Sequence, residues 1–480
     1  MNEAKITFIN GINSNSGNCF IEKSHIDALK KEDSSILLKI FNEYNKNSSI
    51  LVYILKNLGY LPKYFNYSIF VDLVDHKNNE VRYWAVKNIG KSKSDEFYDL
   101  LVKRLQVEDC TMVKREIVSS IGRMKSKMAI PLLIDILEDN DPKIVSQAVR
   151  ALLSFKGNSI IDKSLIGLVN HENEMIRTVI YKEYFSKKLN YQKKQPHAES
   201  YDYLKNVVVN DDVRKVLFCV KDESVHLTFT SPPYYNARDY SIYPSYEAYL
   251  NFLEEVFKET YRITKEGRFL IVNTSPVIVP RISRAHSSKR YPIPFDLHNI
   301  LVKMGWEFID DIVWMKPEYS VKNRIGGFQQ HRKPLAYKPN SVTEYLMVYR
   351  KKTDRLLDWN MKQYPIDVVE SSKVRGEFET TNVWQICPKS DKVHSAVFPE
   401  ELCKRVIEYY SYKGDLVFDP FAGSGTFGRT AKKMNRYFFL TEKEKTYFDY
   451  MKQMKANDKQ NEKFETKFLS LKEFKESITL

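Results

Sequence analysis

Two short loops hold the residues of this chain best suited to chemistry. The first is TSPPYYNARDY, residues 230–240, which follows the apolar run VHLTF. Two consecutive prolines fix the backbone and hold the residue before them extended. The Ser231 side chain and the Pro232 carbonyl are thereby aimed outward as hydrogen-bond acceptors, Pro233 stiffens the step, and Tyr234 offers a face for stacking a planar base. Such acceptors suit an exocyclic amino group. The competing reading is a proline pair that only ends a strand among core tyrosines. The second loop lies in DLVFDPFAGSGTFGRTAKKM, residues 415–434. An apolar run ends at Asp419, and Pro420, Phe421, Gly423, Ser424, Gly425 and Thr426 lead into a helical pattern. Small residues let backbone amides approach a ligand, and a helix N-terminus favours a carboxylate or phosphate. A second run, YFFLTE, ends in Glu442 about 20 residues later, where a carboxylate can accept both hydroxyls of a ribose.

Both loops need strand ends to aim them. The runs VHLTF, RFLIVNT, EYLMVYR, DLVFDP and RYFFLTE alternate with helical stretches such as YEAYLNFLEEVFKETYRIT and PEELCKRVIEYYSYK. That alternation predicts an α/β fold, a Rossmann-like sheet of parallel type flanked by helices, with its site at the strands' carboxyl ends. The N-terminal third is different. Aligning NNEVRYWAVKNIG (78–90), CTMVKREIVSSIG (110–122), DPKIVSQAVRALL (141–153) and NEMIRTVIYKEYF (173–185) puts Val81, Val113, Ile144 and Ile176 in register at intervals of 32, 31 and 32 residues. Self-similarity at a fixed period means a stacked array, and an apolar helical stripe broken by an Asp/Asn/Pro turn makes each unit two antiparallel helices. The array resembles short HEAT-like repeats over residues 33–188, an all-α solenoid whose work is surface presentation to a partner. The polar, basic stretch KKLNYQKKQPHAESYDY marks a linker, bounded here as 189–203.

The chain has 480 residues, and 43% of them are hydrophobic, enough for two or three separate cores. No apolar stretch is long enough to span a membrane, and the first residues lack a secretory signal, so a cytoplasmic location is expected. Five scattered cysteines without paired spacing indicate neither a disulfide framework nor a metal site. The net charge of +14 favours a polyanionic partner. Residues 1–190 hold 28 basic and 23 acidic side chains, so most of the excess lies in the later part.

TSPPY followed by DPFAGSGT resembles the S-adenosylmethionine-dependent amino-methyltransferases of DNA, in the permuted (beta) arrangement where the catalytic motif precedes the cofactor motif. Further segments fit in order: NDDVRKVL (210–217), ITKEGRFLIV (263–272), GWEFIDDIVWMKP (305–317), TEYLMVYRK (343–351) and HSAVFPEEL (394–402). The resemblance implies a catalytic domain over 204–450, a target-recognition region at about 318–392, and a basic helical tail over 451–480. It implies Ser231, Pro232, Pro233 and Tyr234 as catalytic residues, and Asp212, Phe398 and the glycine loop through Glu442 as contacts of S-adenosylmethionine. It also implies double-stranded DNA as substrate, no metal, base flipping, and a place as the modification component of a restriction-modification or defence system. Serine at the first motif position leans towards cytosine N4 as the target amine, with adenine N6 as the alternative. Ser395, Asp211 and Phe427-Gly428 depart from the family's pattern.

For DNA contact, RISRAHSSKR (281–290) carries Arg281, Arg284, Lys289 and Arg290 without an acid, and residues 316–355 hold ten basic against three acidic side chains. Lys322, Arg324, Arg332 and Lys333 are phosphate-binding candidates, and Gln329 and Gln330 are the candidates for reading base edges. Arg238 would hold a phosphate beside a flipped base or pair with Asp239. An RNA or protein-amide methyltransferase with a related PPY motif is disfavoured by motif order. The alternative of another class is a catalytically silent DNA-binding module with the array as an interaction platform.

Overall fold

The computed structural model describes residues 23–32, 34–185, 196–235, 243–279, 283, 285–286, 289–321, 334–335, 340–389, 397–457 and 465–479. The chain divides into two compact units, Met1–Asn190 and Tyr191–Leu480.

The first unit is helical throughout its described residues. The four register positions fall on the helices Asn79–Ile89, Thr111–Met124, Pro142–Leu152 and Glu174–Ile180, where Val81, Val113, Ile144 and Ile176 are buried in one continuous core. Three of these helices are capped by the residue their sequence supplies: the side chains of Asn78, Asp141 and Asn173 accept from amides of the first turn. The fourth, Thr111–Met124, has no side-chain cap; just before it, Glu108 accepts from the Cys110 amide at 2.9 Å and pairs with Arg82 and Arg104. Gly90 and Gly122 are small because the next repeat lies against them. A Cβ on Gly90 would stand 2.5 Å from Ser120 Oγ, and one on Gly122 would stand 2.6 Å from the Ala151 Cβ. The array begins earlier than expected: the helix Lys23–Glu32 sends Ile26 into the same core.

Among the described residues the second unit has eleven strands: β1 Val207–Asn210, β2 Val225–Thr230, β3 Thr264–Thr274, β4 Val277–Val279, β5 Lys289–Tyr291, β6 Trp306–Met315, β7 Thr343–Lys351, β8 Val383–Gln385, β9 Leu416–Asp419, β10 Tyr437–Glu442 and β11 Lys467–Ser470. Nine of them form one sheet in the order β11-β1-β10-β9-β2-β3-β7-β6-β8, and β4 and β5 form a separate hairpin. All five runs expected as strands lie in this sheet. It is parallel except at β7, which runs antiparallel to both β3 and β6. Each central strand reads as a near-continuous apolar run because both faces are covered; β2 is buried at all six positions.

Three boundaries need correction. Residues 196–203, expected in the linker, pack on the sheet: His226 Nε2 of β2 meets the His197 carbonyl at 2.8 Å, and Tyr203 contacts Phe474. A polar stretch can end as structure when its few rings and its backbone find buried partners. The C-terminal stretch 451–480, expected as a basic helical tail, is helical over Leu471–Thr479 but packs into the second unit. The helix Lys445–Asn457 crosses residue 450, β11 adds an edge strand beside β1, and Phe474 is fully buried. The target-recognition range 318–392 contains β7 and β8, which belong to the main sheet.

Candidate active site

β2 and β9 are neighbours and parallel, so the loops that follow them leave the same edge of the sheet. From there the chain turns outward in opposite directions, β2 towards β3 and β9 towards β10. This is the topological switch point at which open α/β sheets form a crevice. Here the crevice is a cavity of about 430 Å³ that both loops line, together with Asp212, Phe398, Glu442, Asn273, Lys316 and Glu344.

The two loops are joined. Thr230 Oγ1, the last residue of β2, donates to Asp419 Oδ1 at 2.7 Å, and the Phe421 amide donates to the same oxygen at 3.0 Å. Burial pushes the Asp419 carboxyl up to about 7 against these bonds. Gly423 and Gly425 take positive φ of 52° and 71°, where a side chain is strained. Gly425 begins the helix Thr426–Lys433, and a Cβ on it would meet Met451 Sδ at 2.5 Å. Glu442 ends β10. Its Oε2 accepts from the Gly423 amide at 2.7 Å and its Oε1 from the Glu444 amide at 2.8 Å. Burial, with the Asp419 charge adding to it, pushes this carboxyl up to about 7 as well.

Ser231, Pro232, Pro233 and Tyr234 all line the cavity. The core-tyrosine reading holds for Tyr235, which is buried among Tyr246, Tyr249 and Tyr291. Tyr234 packs in part against the same core but also lines the cavity, and its phenol donates to Glu344 Oε2 at 3.1 Å. Burial and the Glu344 charge hold that phenol well above its ordinary range. Asp212 also lines the cavity, but its carboxylate caps the short helix Val213–Leu217 and meets the Arg214 guanidinium at 2.8 Å, which holds it below the usual range. Phe398 stacks on Phe229 with centroids 4.5 Å apart, and Phe427 meets Phe229 edge-on at 5.3 Å. The aromatic departure at 427 therefore fills space beneath the cavity. Gly428 has its own reason: a Cβ there would stand 2.7 Å from Leu440 of β10.

Among the DNA-contact candidates, Lys289 and Arg290 are exposed on β5, with Lys289 Nζ 4.9 Å from the Tyr291 ring centroid. Arg238, Arg281, Arg284, Lys322, Arg324, Gln329, Gln330, Arg332 and Lys333 lie outside the described residues. Residues missed in the sequence include Lys316, Glu344, Asn273 and Asn210. Asn210 Nδ2 donates to the Glu442 carbonyl at 2.8 Å, fastening β1 beside the acid. Their signal was position: each stands within one residue of the site end of its strand.

The cavity's chemistry fits a nucleoside bearing a charged side arm. Phe252, Phe421 and Tyr243 give apolar faces, Glu442 gives a carboxylate at hydroxyl height, and the helix Thr426–Lys433 opens beside it. Among the described residues, no helix is long and apolar enough to cross a membrane.

The DNA methylase family that spans N6 and N4 enzymes matches residues 225–453, and HEAT repeats match residues 99–183. The Type II beta methyltransferase M.BslI of Bacillus sp. (strain NEB-606) is 24% identical over 372 residues, which is 74% of this chain and 38% of that protein. The Type II methyltransferase M.MwoI of Methanothermobacter wolfeii is matched over 34% of its length, so the chain spans little more than a third of either relative. The orphan methyltransferase M.BamHII of Bacillus amyloliquefaciens is 30% identical over 258 residues, 48% of this chain and 88% of that protein. A solved putative DNA modification methylase from Thermus thermophilus aligns at 26% identity and a TM-score of 0.44, over 55% of this chain and 99% of its own.

Proposed function

We propose that this chain, which belongs to the N6/N4 DNA methylase family, transfers a methyl group from S-adenosylmethionine to an exocyclic amine of DNA, at cytosine N4. The observation that carries the reading is the Thr230–Asp419 bond, which brings the Ser231–Tyr234 loop and the glycine loop to one cavity.

When bound, S-adenosylmethionine supplies an electrophilic methyl sulfonium, so the protein's task is alignment and exclusion of water. Glu442 would accept the ribose hydroxyls, and Gly423 and Gly425 would leave room for the polar arm at the helix start. Asp212 is engaged with Arg214, and the two together would form the rim against the adenine. At the other end of the cavity, the Ser231 oxygen and the Pro232 carbonyl would accept the two N–H groups of the target amine. An amine conjugated to a base ring is a poor nucleophile. Two acceptors favour its pyramidal form and stabilise the positive charge that grows as the new N–C bond forms. The proton leaves the nitrogen afterwards. The base must first leave the duplex, at a cost of a few kcal/mol, and stacking on Tyr234 would return part of it. Serine at the first motif position supports cytosine over adenine, and the exposed Lys289 and Arg290 support phosphate contact. The HEAT-like array would serve as a docking platform, and the whole as the modification arm of a restriction-modification system.

The test is sequencing of unmethylated DNA after incubation with the protein and S-adenosylmethionine. N4-methylcytosine at one recurring sequence is the expected product. N6-methyladenine there would overturn the target base, and unmodified DNA would overturn the activity.

A further inference from the structure

We propose that Glu344, held by Lys316, is a positioning residue: by accepting the Tyr234 hydroxyl it fixes the ring on which the substrate base stacks. The proposal rests on the methyl-transfer reading above and goes beyond it to two residues that the reading does not use.

The arrangement begins at strand ends. Glu344 is the second residue of β7, and Lys316 follows the last residue of β6, with Trp314 opposite Glu344 in the ladder. The Lys316 amide continues that ladder to the Val342 carbonyl at 2.8 Å. Because β7 runs antiparallel to its neighbours, its beginning lies at the edge where β2, β3 and β6 end. A parallel strand here would have put its last residues in this place. Both side chains are largely buried, at 15% and 16% exposure, and they form an ion pair that also sets Lys316 Nζ 4.5 Å from the Trp314 ring centroid.

Charge fixes direction. An ionised carboxylate only accepts, so the Tyr234 hydroxyl must spend its single hydrogen on Glu344 Oε2. Tyr234 lines the cavity beside Ser231, Pro232 and Pro233, so a phenol fixed on Glu344 fixes the ring next to the two acceptors of the target amine. The same bond clamps the Tyr234 ring, so its stacking face is formed before a base arrives.

The experiment uses the full chain, tritiated S-adenosylmethionine and unmethylated plasmid DNA, comparing wild type with Glu344→Gln, Tyr234→Phe and the double variant. Glutamine keeps the shape but can donate as well as accept, and phenylalanine keeps the ring but breaks the bond. Each single variant is expected to lower kcat about tenfold, with KM for DNA within about twofold and cofactor Kd by calorimetry unchanged; Tm should be unchanged in Tyr234→Phe and lower in Glu344→Gln, where Lys316 loses its partner. The double variant is expected to match the singles, because both cut one bond. Multiplicative losses in the double variant would overturn the proposal. So would a wild-type kcat in Glu344→Gln, or a loss seen mainly in KM or cofactor Kd. If Glu344→Gln fails to fold, Tyr234→Phe with wild-type kcat is itself sufficient to refute the proposal. A wild-type protein that binds the cofactor and DNA but transfers no methyl group refutes the underlying reading instead.

Discussion

Cofactor affinity should depend steeply on pH through Glu442. In the free protein, burial holds this carboxyl up to about 7, against an ordinary value of 4.5. Ribose hydroxyls donate hydrogen bonds, and so favour the ionised form. Binding therefore requires a proton to leave whenever the solution is more acid than the raised pKa. Each pH unit below about 7 should weaken S-adenosylmethionine binding about tenfold, or about 1.4 kcal/mol, with a plateau above about 8. Asp419 titrates near 7 too and would steepen the slope, so Asp419→Asn separates the two. In Glu442→Gln the slope should flatten, because no charge remains to be created there. That variant also turns an amide NH₂ towards the Gly423 or Glu444 N–H, which leaves a donor facing a donor. Its loss at pH 8 should be about 1–3 kcal/mol, or about 5- to 160-fold in Kd. Calorimetry from pH 5.5 to 8.5 in buffers of different ionisation enthalpy measures both the affinity and the protons released. A wild-type Kd that is flat between pH 6 and 8, or a Glu442→Gln slope equal to that of wild type, would refute the reasoning.

Tyr234→Ala, which removes the stacking wall, should cut methyl transfer about a hundredfold while S-adenosylmethionine affinity by calorimetry stays near wild type; equal loss of both would count against the wall. In the array, Glu108 is 2% exposed and held down to about 2 by the guanidinium groups of Arg82 and Arg104. Its stabilising contribution is present above pH 4.5 and should fade as pH falls towards 2. Arg82→Met, which leaves that buried carboxylate to Arg104 and the Cys110 amide alone, should lower stability by about 1–3 kcal/mol in chemical unfolding; a change under about 0.5 kcal/mol would contradict the burial. Removing residues 1–190 should leave a folded second unit that still methylates DNA if the array is only a platform, and a filter-binding assay showing lost DNA affinity would assign the array to the substrate instead.

The sequence alone determined the features that depend on local rules. A repeat of 31 to 32 residues fixed the helical array, since a two-helix unit has no core of its own and must stack. Apolar runs ending in TSPPY and DPFAGSGT fixed the sheet and the two loops, since proline and glycine restrict the backbone wherever they stand. Asp419 and Glu442 were legible because each ends a run of strand residues. What the tertiary structure decided depended on neighbours far apart in the chain. That β2 lies beside β9, so that Thr230 reaches Asp419 across 189 positions, is a matter of strand order. That Glu344 faces Tyr234 follows from β7 running backwards, which no local pattern announces. The same holds for β11 closing the sheet edge and for His197 bonding beneath it. Polar and basic composition suggested a linker at the one place and a helical tail at the other, and long-range pairing of backbone and buried rings made both part of the fold.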